Sequence, residues 1–599
     1  MHTPLPLRDL WARQIVCETV AADIGNLMSG DDAKSRRMQT ALEALLAGQG
    51  PGPNLGETHS LGPDTKVCIV GAGIAGLYIA LILDDLKIPN LSYEILEADS
   101  RTGGRVYTHR FSTQPNDYYD VGAMRFPQIA SMERVFDLAR RVNVPLTKYY
   151  LHGENCPSLF NDICLIGDST STADPFRVGQ AHGGRVPDRV AANATLLLED
   201  TFRQYKLELH RDFSVGFQRL LKADMFSTRE VLRKGIPGVG AEKFDFASIQ
   251  WMETLNTATG LFNQSFTESI MDSFEFDNPL GDVDWFCVSG GSSMLTDRMV
   301  DVIEGSRTRI QLGKEVTAVS VDGEGLLSVQ CVGEKSARSG YATVFATAPL
   351  GCLQRMDLST LGLHPCQRDA LRCLHYDMSV KVGIEFRRAW WTTNCNIRSG
   401  GEAASDLPSR TCVYPSYGLD GDPDQPAVLL ASYTWAQDAA RIAALIDPRE
   451  PKGPNSRLMR LVLGDLARLH HPNITLDEIQ DLYLDHHAFS WTNAPFSCGA
   501  FAMFGPGQFS NLYPYLIRPA ADGKFHIVGE AASAHHGWLV GALNSAYMAV
   551  YKFLFRYKLW EYIEKLERNW GTVFEMDTHD GYFHLQNALG RLSSAARDI

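Results

Sequence analysis

The sequence contains no Cys-x-x-Cys pair, and its 12 cysteines are scattered from Cys17 to Cys498 without a repeating spacing. That pattern excludes a disulfide framework and a zinc ribbon, and leaves reduced, packed thiols as the expectation. Three histidine pairs, His470-His471, His486-His487 and His535-His536, lack zinc-like partners at helical or loop spacing, so no metal is expected. Runs of basic residues are also missing. With 56 Lys and Arg against 70 Asp and Glu, the net charge is −14, which argues against nucleic acid or an acidic membrane surface as a partner. The best candidate for a membrane span, Val67 to Leu83, is 17 residues long and carries three glycines, short of the about 20 apolar residues a spanning helix needs. Met1 to Gly30 has charged residues throughout and no uninterrupted apolar core of the secretory kind. The expectation is an intracellular, cytoplasmic protein, or one whose signal has been removed. Internal repeats and low-complexity segments are absent.

What is present is a globular composition, 45% hydrophobic and 21% charged over 599 residues, enough for two or three domains with sizeable cores. The chain is organised around VCIVGAGIAGLYIALIL, which reads as a buried strand, a glycine turn and an apolar helix in succession. Gly71 and Gly73 let the backbone turn and approach a pyrophosphate, Gly76 lets the helix pack on the strand, and the helix N-terminus aims unpaired N–H groups at the anion. A second strand, SYEILEAD, brings Glu97 to the distance at which an acid binds a ribose hydroxyl. SRTGGRVYTHRF extends the phosphate site through Gly103, Gly104, Arg101 and Arg105, since a guanidinium fork suits an oxyanion.

Elsewhere the chain alternates between helical and strand-like spacing. Residues 1 to 47 are compatible with helices, with Asp31 and Asp32 placed to cap the second, and Gly48 to Pro63 reads as a Gly/Pro linker, so the arm before it is expected to pack on the body. From Cys156 to Phe274 long helical segments indicate an inserted helical subdomain. Near its end Asp272, Glu275, Asp277, Asp282 and Asp284 form an acidic cluster, either a solvated face or a bias of an entrance toward cationic side chains. RIQLGKEVTAVSV, LLSVQCVG and ATVFATAP look like sheet, and the tail after Lys558 like charged helix or loop.

KVCIVGAGIAGL, ILEADSRTGGRVYT, YYDVGAMRFP, the lysine of MSVKVGIEF, and GEAASAHHGWLVGALNSA, in that order, resemble the flavin amine oxidase superfamily, and within it the L-amino-acid oxidases of fungi. The resemblance runs from about residue 60 to 560. It implies FAD, rather than NAD, in an α/β fold: a Rossmann-like, glutathione-reductase-like FAD-binding domain, an α+β substrate-binding domain and a helical insertion. The expected boundaries are an arm and linker over 1–63, a discontinuous FAD-binding domain of 64–115, 285–372 and 520–560, a substrate-binding domain of 116–155 and 373–519, the helical subdomain over 156–284, and a tail over 561–599.

The resemblance also implies roles. Gly71, Gly73, Ala75, Gly76, Glu97, Ala98, Arg105, Gly122, Ala123, Met124, Arg125, Val316, Gly529, Glu530, Trp538 and Leu539 are expected around FAD. Arg125 is expected to grip a substrate carboxylate, Tyr414 to add a second contact to it, and Gly537 and Trp538 to line the amine and the flavin face. Lys381 is expected to hold a water near the flavin, its charge disfavoured by apolar neighbours. Ala500 falls where monoamine oxidases carry the cysteine that attaches FAD, with Cys498 two residues away, so noncovalent FAD is expected. The activity implied is oxidation of L-amino acids by O2, in a protein that is commonly a homodimer. A monoamine or polyamine oxidase, an amino-acid monooxygenase and a catalytically idle flavoprotein stand as alternatives.

Overall fold

The computed structural model describes residues 6–47, 61–167, 173–236, 242–274, 276, 283–303, 309–576 and 581–595. Thr65–Val70 is a strand whose last four residues are buried. It runs into Gly71, at φ +110°, and then into the helix Ile74–Leu86. The strand Leu91–Leu96 returns parallel to the first, Thr65 opposite Leu91 and Val70 opposite Leu96. On the other side the first strand pairs in parallel with Arg338–Ala346, which also pairs in parallel with Phe525–Ile527. Ile310–Gln311 adds in parallel to Leu91–Leu96, and two antiparallel strands, Leu327–Cys331 and Val316–Val321, complete this seven-stranded sheet. Its strands thus come from three separated stretches of chain. An apolar helix, Leu539–Arg556, buried along nearly its whole length, packs on Ile74–Leu86. Such all-round burial fits a mostly parallel sheet covered by helices.

A second seven-stranded sheet is mainly antiparallel and follows the order Tyr483–Ser490, Ser379–Phe386, Ala427–Trp435, Thr411–Tyr414, Gly401–Ser405, Pro157–Phe160, Ile163–Ile166. The last two strands lie inside the stretch expected to be helical. Their hairpin attaches to Gly401–Ser405 through Ala404 opposite Ser158, and the helices of that region begin at Asp188. Five helices follow: Asp188–Arg211, Phe213–Leu221, Thr228–Lys234, Phe246–Leu255 and Phe266–Ser273. Trp285–Val288 pairs with Phe126–Pro127 and Leu146–Tyr149, rather than with the first sheet.

The N-terminal arm folds as two helices, Leu7–Ser29 and Ala33–Ala47, and Asp32 caps the second by accepting from the Ser35 N–H at 2.9 Å. Trp11 and Val20 are fully buried, sharing a core with Leu516, Ala588 and Leu592. The linker over 48–60 lies outside the described residues. The tail is helical over Trp560–Trp570 and Tyr582–Ala595. Among the described residues no helix is long and apolar enough to cross a membrane.

Candidate active site

A cavity of about 780 Å³ is lined by residues of both sheets. At one end stands the glycine turn. Gly73 sits at the N-cap of Ile74–Leu86, so the first N–H groups of that helix point toward the cavity. A Cβ on Gly71 would lie 2.7 Å from Thr347 Oγ1, and one on Gly122 would lie 1.8 Å from the Arg105 carbonyl oxygen. These backbones approach so closely that only hydrogen fits. Glu97 also faces the cavity. Its carboxylate accepts from the Ala72 N–H at 2.6 Å and the Asp99 N–H at 2.8 Å, and burial raises its pKa. Ala75, Ala98 and Val316 line the same end.

The middle of the cavity is tied together by an ion pair. Arg105 donates to Glu530 at 2.7 Å and to the Ala500 carbonyl at 3.0 Å, while Glu530 also accepts from the N–H groups of Ala502 and Gly537. Gly529, Gly122, Ala123, Met124 and Leu539 line the cavity around it.

At the other end lie Arg125, Lys381, Gly537 and Trp538. Arg125 donates to Glu402, and its guanidinium lies 5.8 Å from the ring centroids of both Tyr149 and Trp285. Burial opposes its charge, but Glu402 beside it more than offsets this, so the guanidinium stays ionised. Lys381 is buried on the strand Ser379–Phe386. Its Nζ donates to the carbonyls of Asp120 at 2.9 Å and Gly122 at 2.7 Å, and lies 4.7 Å from the Tyr433 ring centroid. Burial lowers its pKa to about 7. Nζ also lies 3.3 Å from Met124 Sδ; in the neutral form its two protons serve the carbonyls, and the lone pair would be open to accept from a water in place of that sulfur contact.

Tyr414 does not join them. It is fully buried on the far face of the second sheet, where its hydroxyl meets His470 Nε2 at 2.6 Å. His470 Nδ1 lies 2.7 Å from the Leu466 carbonyl, so Nδ1 carries the proton and Nε2 accepts from Tyr414. Tyr433, on the neighbouring strand, lines the cavity instead. Gly76 also lies outside the lining; a Cβ there would be 2.1 Å from the Gly71 carbonyl oxygen, so its part is packing.

Asp272 lines the cavity, Asp284 pairs with Lys148 at 3.0 Å on the surface, and Glu275, Asp277 and Asp282 lie outside the described residues. Ala500 lines the cavity, while Cys498 Sγ lies 3.9 Å from that of Cys352. Of the histidine pairs, His536 lines the cavity and meets Glu268 at 2.8 Å. His535 stands with Asp9 and Glu575, their ligand-type atoms all within 4.8 Å of one another. That grouping unites both ends of the chain, which spacing along the sequence does not disclose. The Glu575 carboxylate there already accepts from Tyr513, Asn544 and the Ala534 N–H. Tyr149, Trp285, Glu402 and Tyr433 lie outside the motifs that mark the site in the sequence; the local signal for Tyr433 is the strand-like run VLLASYTW.

A protein of Dictyostelium discoideum described as a bifunctional amine oxidase is 38% identical over 541 residues, 86% of this chain but 48% of that protein, so the chain spans about half of its length. L-amino-acid oxidase 4 of Hebeloma cylindrosporum is 34% identical over 594 residues, covering 92% of this chain and 91% of that one. Among solved structures, cyclohexylamine oxidase from Brevibacterium oxydans matches with a TM-score of 0.58 at 17% identity, over 84% of this chain and all of that one. A putrescine oxidase variant matches at 0.59 and 15%, over 82% of this chain and 100% of that one. These two likenesses speak to the mixed α/β fold. The family model described as flavin containing amine oxidoreductase matches residues 74–552, from the helix behind the glycine turn to the helix that follows Trp538, and the chain belongs to that family.

Proposed function

We propose that the chain is an FAD-dependent L-amino-acid oxidase, converting an L-amino acid, dioxygen and water to the 2-oxo acid, ammonia and hydrogen peroxide. The observation that carries this reading is Arg125, an ionised guanidinium on the cavity wall between Tyr149 and Trp285 and close to Lys381. An amine substrate would give that charge nothing to bind, whereas a substrate carboxylate would. A guanidinium carries five N–H donors in a fixed fork, enough for Glu402 and a second carboxylate.

The cradle fits FAD in a Rossmann-like, glutathione-reductase-like arrangement. The glycine turn and the N-terminus of Ile74–Leu86 would take the pyrophosphate, Glu97 a ribose, Val316 and Ala98 the adenine side. Arg105, Glu530 and the backbones from Gly122 to Met124 would flank the rest. Attachment is noncovalent: alanine stands at position 500, and burial, with Cys498 alongside, pushes the Cys352 thiol up to about 12, far from a reactive thiolate. Bound FAD would supply the two-electron acceptor for oxidation at the substrate Cα and the route by which those electrons reach dioxygen as peroxide.

The chain supplies orientation and proton handling. Arg125 fixes the carboxylate, which limits how the Cα hydrogen can be presented. Trp538 adds a flat apolar wall, and the turn at Gly537, φ +77°, brings backbone to the cavity. Lys381, neutral above about pH 7, holds a water against the carbonyls of Asp120 and Gly122, positioned for hydrolysis of the imino acid. The test is peroxide and ammonia release from the yellow protein against L-amino acids, their D-enantiomers and the decarboxylated amines. L-amino acids alone should respond; turnover of the amines would move the reading to amine oxidase, and an amide product to monooxygenase.

A further inference from the structure

Arg125 marks one end of the substrate half of the cavity, and the opposite charge stands beyond an aromatic wall. Trp285 lies 5.8 Å from the Arg125 guanidinium and 6.2 Å from Trp538, ring centroid to ring centroid. The Trp538 indole N–H in turn points at Asp272 Oδ1, 3.4 Å away, and Phe276 packs on Trp538 at 5.8 Å. The order is therefore Arg125, Trp285, Trp538, Asp272. Among the described residues lining the cavity, Glu97, Asp99 and Glu315 sit with the glycine turn and Glu530 is held by Arg105; Asp272 is the carboxylate of the substrate half. A carboxylate at the cavity wall, held at one oxygen by the Trp538 indole N–H, suits a cation, which gains an ion pair there.

Behind Asp272 stands a residue from the far end of the chain. Arg8, in the first turn of the helix Leu7–Ser29, is buried with its NH1 3.8 Å from Asp272 and its NH2 3.8 Å from Glu268. Glu268 is bonded to His536, and Arg8 Nε donates to the Ala534 carbonyl. Arg8 does not line the cavity. Its charge reaches a ligand through Asp272, whose negative potential it partly compensates.

We propose that Asp272 is the side-chain recognition group of this pocket, favouring L-amino acids whose side chain ends in a cation, and that Arg8 is a positioning residue that sets how strongly it does so. This deepens the oxidase reading and rests on it for the placement of the substrate carboxylate at Arg125. It makes the N-terminal arm part of the specificity apparatus as well as of the core.

The test separates binding from turnover. Hexanoate and 6-aminohexanoate both carry a carboxylate, differ in a terminal ammonium, and lack the α-amine that is oxidised; their binding to the holoenzyme is read from the perturbed flavin spectrum. The wild type should bind 6-aminohexanoate at least tenfold more tightly than hexanoate. Asp272→Asn should erase that preference while hexanoate affinity changes less than threefold. Arg8→Gln should raise the preference at least threefold, Arg8→Lys should hold it near the wild-type value, and Arg8→Gln combined with Asp272→Asn should behave as Asp272→Asn alone. A preference that survives Asp272→Asn, or equal weakening of both acids, overturns the proposal. Hexanoate binding without preference in the wild type overturns this inference and leaves the oxidase reading standing; binding of neither acid overturns both.

Discussion

The side-chain nitrogen of Lys381 lies 2.7 Å from the carbonyl oxygen of Gly122, a residue 259 positions earlier in the chain. That contact fastens a strand of the second sheet to the segment leading into Arg125, and holds a buried amine whose pKa is lowered to about 7. Because the neutral form works as the acceptor for water, the step that depends on it should speed up as pH rises through about 7 and level off above. Stopped-flow measurement across pH 5.5 to 9 checks this, and Lys381→Met should abolish the pH-dependent limb while slowing the step about 10²- to 10⁴-fold.

The pair of half-buried Arg105 and buried Glu530 makes a second expectation. Glu530 satisfies three donors, from Arg105, Ala502 and Gly537. Glu530→Ala leaves the guanidinium and two N–H groups without it, at a cost of about 3–5 kcal/mol. The variant should purify with little flavin, read as the ratio of 450 nm to 280 nm absorbance, and unfold at lower urea.

Tyr414 and Tyr433 should separate cleanly. Tyr414→Phe leaves His470 Nε2, buried and held neutral with its pKa lowered to about 4, without a donor, costing about 1–3 kcal/mol of stability. KM should not move. Tyr433→Phe, at the cavity and near Lys381, should alter KM or kcat with little change in the denaturation midpoint.

The reason Tyr414 misleads in the sequence is physical. Thr411–Tyr414 is buried on both faces, so its residues carry no polar alternation to show which way each side chain points. Val413 faces the cluster holding Tyr119 and Trp285, whereas Cys412 and Tyr414 face the one holding Trp390 and Leu463. A displacement of one residue exchanges those faces. The glycine turn is legible because strand, turn and helix are contiguous, each with its own local signal, and the same locality makes Arg125 and Lys381 findable through the motifs around them. Arg8, Asp272 and the grouping of Asp9, His535 and Glu575 are assembled only by tertiary packing, with Asp9 and His535 526 positions apart. The hairpin at 157–166 is hidden within the helical spacing of its region because its strands are four residues each, too short to show a period.

Gly76→Ala tests packing behind the phosphate site. The added Cβ would lie 2.1 Å from the Gly71 carbonyl oxygen and 3.1 Å from Ile69 and Thr347, so the helix Ile74–Leu86 must move off the strand. Overpacking of this kind costs about 1–3 kcal/mol, and flavin affinity measured by apoprotein reconstitution should fall with it.

The most direct measurement compares kcat/KM for an L-amino acid and for its decarboxylated amine, in the wild type and in Arg125→Met. If Arg125 binds the carboxylate, the wild type should favour the amino acid strongly, and the variant should lose that preference by about 10²- to 10³-fold, as removal of a buried charged partner worth about 3–4 kcal/mol requires. The flavin should remain bound and the rate with the amine should stay within about threefold, the scatter expected of a site that contact does not serve. A wild type that oxidises the amine as well as the amino acid, or a variant whose preference is unchanged, would contradict the account.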